Sequence, residues 1–211
     1  MFHLRSLLFS TLFFISNQLF CDQIFEDRNH NEIRISVVKS VEDIDLDDSE
    51  NILVRSFLDA YKDVPITELN PQFTSFSDLT LFYKEYFKEE LERFKQGHLF
   101  WVQAFLNSKL VGWATFELES LEENAAYMNL LIVAPEYQRM GLGRHLTFSI
   151  CSDDLFPNIQ AINLLIRKVN IQGYNFYYRL GFADFDYHRD NFVDTSLLTG
   201  LRWKKQNSNQ N

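Results

Sequence analysis

The chain has 211 residues, 46% of them hydrophobic and 16% aromatic, which suits one domain with a substantial core and excludes a largely disordered protein. Its net charge of -9 excludes a nucleic-acid binder, since no face rich in Lys and Arg is visible in the sequence. The two cysteines, Cys21 and Cys151, give no disulfide framework, and the five histidines show no metal-ligand spacing, so no metal is expected.

In chain order, residues 1–21 carry His3 and Arg5 and then an uncharged Leu/Phe-rich run from Leu7 to Ile15. This has the form of a signal peptide, with a basic start and a short apolar centre. The residues before Cys21 lack a small-residue cleavage site, so an uncleaved anchor or a plain tail are the other readings. Export through this segment, or a cytoplasmic location without it, are both open. Membrane contact is expected only through residues 1–20. Residues 22–31 read as a polar linker. A domain is expected over 32–205, followed by a disordered tail, 206–211.

Glu32–Lys39 alternates Ile33, Ile35 and Val37 and reads as a strand. Asp47–Tyr61 reads as a helix burying Ile52, Leu53, Ser56, Phe57 and Ala60. A loop with Pro65 and Pro71 follows. Ser77–Gln96 is an amphipathic helix, with Leu79, Phe82, Tyr83, Tyr86, Phe87, Leu91 and Phe94 at helical spacing, and Gly97 closes it. His98–Leu106 and Leu110–Leu118 form a hairpin about Asn107-Ser108-Lys109. Ala125–Ala134 reads as a central strand, apolar on both faces. Strands near Phe182–His188 and Leu197–Lys204 end the domain. The fold class expected is α/β (α+β): a mixed, mostly antiparallel sheet of about seven strands flanked by helices, in the order β-α-α-β-β-β-α-β-α-β-β.

Two segments carry chemistry. In the first, the strand ending Leu131-Ile132-Val133 stops at Pro135, and the turn Gln138-Arg139-Met140-Gly141-Leu142-Gly143-Arg144 leads into a helix marked by Leu142, Leu146 and Ile150. Glycines let backbone N–H groups approach a ligand, and the first helical turn leaves donors unpaired, so the turn suits a phosphate or pyrophosphate. It is neither a P-loop nor a dinucleotide fingerprint, because the Lys-Ser/Thr pair and the third glycine are absent. In the second segment, the strand Ala161–Val169 is followed by Asn170, a short helix and Gly181-Phe182.

Together, Val133-x-Pro135-x-x-Gln138-x-x-Gly141-x-Gly143 and Asn170-x6-Tyr177-x3-Gly181-Phe182 resemble the two cofactor motifs of the GCN5-related N-acetyltransferase (GNAT) superfamily. The resemblance implies an acetyl-CoA-dependent N-acetyltransferase, active as a monomer or homodimer on the primary amine of a small molecule, amino acid or protein. It implies that the backbone of Arg139 to Arg144 holds the pyrophosphate, with the Arg144 side chain and Gln138 as further contacts. It implies that Leu131, Ile132 and Val133 offer backbone groups to the pantetheine, that Asn170 reaches it, and that Tyr177 protonates the leaving thiolate. Asn170 is also readable as a helix N-cap, and Tyr177 as a packed aromatic. The strand position at which some family members carry a basic glutamate is Tyr127, with Asn129 on the same face. Glu117, Glu119, Asp186 and His188, or an ordered water, are the remaining candidates for the base, and each side chain is equally readable as a surface charge. The missing strand carboxylate and the export-like start leave a second reading: a non-catalytic acyl-CoA-binding module acting as a secreted interaction protein.

Overall fold

A computed structural model describes residues 22–26, 31–120, 122–152, 156, 158–187 and 195–206. The signal-like segment, most of the tail and His188 lie outside the described residues. Eight strands form one sheet in the order β1-β2-β3-β4-β5-β6-β8-β7. They are β1 (Gln23–Glu26), β2 (Glu32–Val37), β3 (Phe100–Leu106), β4 (Lys109–Leu118), β5 (Ala125–Val133), β6 (Ala161–Arg167), β7 (Ala183–Asp184) and β8 (Leu198–Lys204). Every neighbouring pair is antiparallel except β5 with β6. The helices are α1 (Leu46–Ala60), α2 (Ile66–Leu69), α3 (Phe76–Lys95), α4 (Leu142–Ser149) and α5 (Ile171–Arg179).

The expected order holds, with two additions. One is the single helical turn of α2, inside the expected loop. The other is β1, where a linker was expected: Gln23–Glu26 pairs with β2, Phe25 lies 4.1 Å from the ring of His145 on α4, and Gln23 donates to Ser152 at 2.7 Å. β7 is shorter than the expected Phe182–His188 strand: Phe185 still donates to the Gly200 carbonyl at 3.0 Å, and residues 185–187 then run close over Gly200.

Helix limits follow from their caps. Asp45 accepts the Asp48 N–H ahead of α1, Ser75 and Asp78 form a capping box ahead of α3, and Gly97 takes the left-handed φ of 74° after it. The hairpin turn residues Asn107 and Ser108 both have positive φ, as a tight primed turn requires.

Each face of the sheet has its own core. One packs β2–β6 against α4, through Leu142, Leu146, Ile150, Phe116 and Ile162. The other packs α1 and α3 against Trp101, Trp113, Leu130 and Ile132. A bulge sets which residues of β5 face which side. Thr115 pairs with Leu130 and Phe116 with Met128, so Asn129 is an extra residue. Tyr127, Asn129 and Leu130 therefore face α3, while Leu131 and Val133 turn toward α4. The expected uniform burial of β5 fails at Asn129, Leu131 and Val133, which are only half-buried.

Candidate functional site

β5 and β6 pair only at Ala125–Ala161, Ala126–Ile162 and Tyr127–Asn163. Beyond that point the strands part, and β5 from Met128 to Val133 has no β6 partner. The antiparallel ladder on the other side fixes where its backbone points. Ala134 donates to Val111 at 2.9 Å, so residues of even number bond β4 here and odd ones turn away. Leu131 and Val133 thus present their N–H and C=O groups to the gap. Ile132 spends its backbone on β4 opposite Trp113, and its side chain is buried between sheet and helices, so of the three expected residues it alone does not face the gap. The Val133 carbonyl already accepts from Ser56 at 3.0 Å and from Gln138 Nε2 at 3.3 Å. This assigns Gln138 a turn-fastening contact and adds Ser56, which the sequence marked only as a buried position of its helix.

The gap leads to the turn before α4. Arg139 has φ 64° and Gly141 φ 91°, so the chain reverses through two left-handed residues. Arg139 has a Cβ and bears the strain of that conformation, while Gly141 does not. A Cβ on Gly141 would meet nothing within 4 Å, so its outer side is open. Arg144 and His145 donate to the Gly141 carbonyl, whereas Leu142 and Gly143, in the first turn, have no carbonyl four residues back within the helix. These amides point out of the helix end. Leu142 and Met140 pack their side chains into the core, so only their backbone is available. Arg144 is exposed, its guanidinium 5.7 Å from the Phe148 ring. Beside the turn lies a polar cavity of about 390 Å³ bordered by Asp59, Lys62, Asp63, Gln138, Arg139 and Gln172. The open backbone edge, the unpaired amides and the adjoining cavity fit a thin, amide-bearing chain that ends in phosphates.

The closed end of the gap is lined with tyrosines. Tyr177 packs its ring against the α4-side core and lies 5.2 Å from Phe182. Burial pushes its hydroxyl well above the usual phenol range, and the neighbouring phenols of Tyr61 and Tyr127 add to the shift. Tyr61 belongs to the opposite core, so Tyr177 spans the space between the strands. Asn170 caps α5, its Oδ1 accepting the Gly173 N–H at 2.8 Å. The capping reading of Asn170 is therefore realised.

Of the candidate bases, Glu117 and Glu119 are half-buried and partnered, whereas Asp186 is exposed. Glu117, opposite Tyr127, is ion-paired with Arg93. Arg93 also holds the buried Glu90 at 2.7 Å and reaches Asn129 at 3.5 Å. Glu119 accepts from Asn163 Nδ2 at 2.9 Å and from the Tyr187 hydroxyl at 2.5 Å. Asp186 lines a second pocket, of about 370 Å³, near β8. Glu90, Arg93, Asn163 and Tyr187 were not anticipated. Asn163 did leave a signal, as the polar residue among Ile162, Leu164 and Ile166. Among the described residues no three His, Cys, Asp or Glu side chains are grouped to hold a metal.

The family model described as acetyltransferase (GNAT) family matches residues 64–182, more than half of the chain. The protein belongs to the GNAT family of acetyltransferases, enzymes that take their acyl group from acetyl-CoA. Solved structures share its fold. The PaiA N-acetyltransferase of Thermoplasma acidophilum, in complex with coenzyme A, superposes with a TM-score of 0.62 at 20% identity, over 81% of this chain and 98% of that one. The ribosomal-protein-S18-alanine N-acetyltransferase of Escherichia coli gives a TM-score of 0.51 at 18% identity, over 85% and 99%. PH1933 of Pyrococcus horikoshii gives 0.54 at 18%, over 83% and 99%. No curated protein matches the sequence.

Proposed function

We propose that this enzyme moves the acetyl group of acetyl-CoA directly to a primary amine at the closed end of the β5–β6 gap. The observation that carries the reading is the early end of β5–β6 pairing at Tyr127–Asn163, which leaves the odd-numbered backbone groups of β5 without a strand partner along a path to the first turn of α4. Leu131 and Val133 bond the pantetheine amides. The amides of Arg139 to Gly143 hold the pyrophosphate, helped by the positive end of the α4 dipole, while the Arg144 N–H is spent on the Gly141 carbonyl. Arg139 and Arg144 add charge from the exposed rim.

The acceptor nitrogen attacks as the neutral amine, forming the N–C bond as the C–S bond breaks. Tyr177 gives its hydroxyl proton to the departing thiolate, a role for which a protonated phenol at the closed end is suited. Glu117 is committed to Arg93 and Glu119 to Asn163 and Tyr187, so the proton released by nitrogen passes to water. Export by residues 1–21 is a separate proposal, tested by N-terminal sequencing of the protein recovered from its source.

Calorimetric titration of the full chain with acetyl-CoA and with 3′-dephospho-CoA, followed by thiol release across an amine panel, tests the reading. Binding of acetyl-CoA with amine-dependent release of CoA supports it. A folded protein that neither binds acetyl-CoA nor releases thiol overturns it.

A further inference from the structure

Among the gap-facing backbone groups of β5, the Val133 carbonyl has its hydrogen bonds already made. A carbonyl oxygen carries two lone pairs, and two side chains hold them: Ser56 Oγ at 3.0 Å and Gln138 Nε2 at 3.3 Å. Only the amide nitrogen of Gln138 can donate to a carbonyl, so the contact fixes which way that amide is turned. A third donor finds no lone pair left. A pantetheine N–H aimed at this carbonyl therefore competes with one of the two.

The two donors are not held alike. Ser56 is 8% exposed, on α1. Its neighbour Arg55 pairs with Glu136 at 2.6 Å, which ties this part of α1 to the turn that follows β5. The Gln138 bond is the longer, beyond the usual range for an N–H donor, and its flexible side chain is half-buried. Gln138 also borders the polar cavity of about 390 Å³, with Lys62, Arg139 and Gln172. Its backbone N–H is bonded separately, to the Pro135 carbonyl at 3.4 Å. The side chain thus has room to swing while the turn stays, and Gln138 is the donor that yields.

We propose that Gln138 is a latch on the pantetheine path. Its amide holds the Val133 carbonyl until a pantetheine N–H takes that place. The released amide then donates to the pyrophosphate at the turn that begins with Arg139, across the adjoining cavity. The inference rests on the acetyl-CoA reading above. One side chain thereby opposes the pantetheine half of the cofactor and favours the phosphate half. At Val133 one hydrogen bond replaces another, and at the phosphate a charge-assisted bond is added. The whole cofactor gains from Gln138, and a fragment without phosphates loses.

The test compares acetyl-CoA with S-acetylpantetheine, which lacks the pyrophosphate and the nucleotide, as donors for the full chain. Thiol release to an amine of the panel gives kcat/KM for each. Gln138→Met keeps the bulk and removes the donor. With acetyl-CoA its kcat/KM is expected to fall at least about threefold, the loss of a bond to a charged group outweighing the opened latch. With S-acetylpantetheine it is expected to rise about threefold, since the bond to Val133 no longer has to be broken. Gln138→Glu cannot donate to the carbonyl and repels phosphate, so it is expected to show the same split with a larger fall on acetyl-CoA. Ser56→Ala leaves Val133 a lone pair for the pantetheine with Gln138 in place. On that background Gln138→Met is expected to give no further rise with S-acetylpantetheine, a dependence that a packing role does not create. Equal falls on both donors, no change on either, or S-acetylpantetheine left unused by parent and variants alike overturn the latch, while turnover of acetyl-CoA by the parent leaves the acetyltransferase reading standing. A parent that releases no thiol from acetyl-CoA with any amine removes both.

Discussion

Gly143 and Phe176 lie so close that a Cβ on the glycine would stand 3.0 Å from Cζ of the ring. The contact joins the first turn of α4 to the middle of α5, so the two cofactor motifs of the sequence meet through it. Gly143→Ala forces the ring back by a few tenths of an ångström and is expected to lower stability by about 1 kcal/mol. Gly143→Asp adds a carboxylate among the amides proposed to hold the pyrophosphate. Its acetyl-CoA affinity is expected to fall at least about tenfold, since like charges at this distance repel strongly outside bulk water. Calorimetry on both variants separates the two effects. Undiminished binding by Gly143→Asp would move the pyrophosphate away from this turn.

The elements that positioned this contact were legible in the chain because their signals are local. The alternation of Ile33, Ile35 and Val37, the stripe through Leu79, Tyr83 and Phe87, and glycines at 97, 141 and 181 each mark an element within a few residues. β1 escaped because a strand of four residues with Ile24 and Phe25 is too short to show a period. The Asn129 bulge escaped because register belongs to two strands and not to one. The closed end of the gap escaped most completely. Glu117 finds Arg93 24 residues away and Glu119 finds Tyr187 68 residues away, so the carboxylates read as surface charges until the fold joined them. Glu90 occupies a position of the buried α3 stripe, and there the polar residue itself was the overlooked signal.

Tyr177→Phe removes one oxygen and keeps the ring that packs against Phe182. With Tyr177 as the acid, kcat is expected to fall about a hundredfold, the low end for a positioned proton donor, while acetyl-CoA affinity stays within about twofold. Single-turnover kinetics with an activated, low-pKa thiol ester gives a sharper reading. A good leaving group needs little protonation, so the variant should recover on that substrate. Equal losses on both substrates would assign Tyr177 to packing alone.

The pH profile follows from the same residue. Burial, then Tyr61 and Tyr127, hold the Tyr177 hydroxyl above its ordinary value, so its acid form persists through the physiological range and beyond. The acceptor must lose a proton before attack, so kcat/KM is expected to rise with pH. No fall attributable to Tyr177 is expected below about pH 10, the ordinary phenol value. A descending limb near neutrality that disappears in Tyr177→Phe would contradict this assignment.

Glu90 gives a stability test of the buried network. Burial raises its pKa, against hydrogen bonds from Thr115, at 2.7 Å, and from Arg93, which lower it. A folded pKa above the unfolded value means that the folded state binds the extra proton. Stability from this group is therefore full below the ordinary glutamate value of 4.5 and declines as pH rises through the folded pKa. Glu90→Gln cannot titrate and retains an oxygen for Thr115, while Arg93 retains Glu117. The stability of Glu90→Gln relative to the parent is expected to improve between pH 4.5 and pH 8, because only the parent loses the stabilising proton as pH rises. Urea denaturation at the two pH values reads that difference directly. If the parent instead gains on the variant as pH rises, the ion pairs with Arg93 outweigh desolvation, and Glu90 is a stabilising partner of the network.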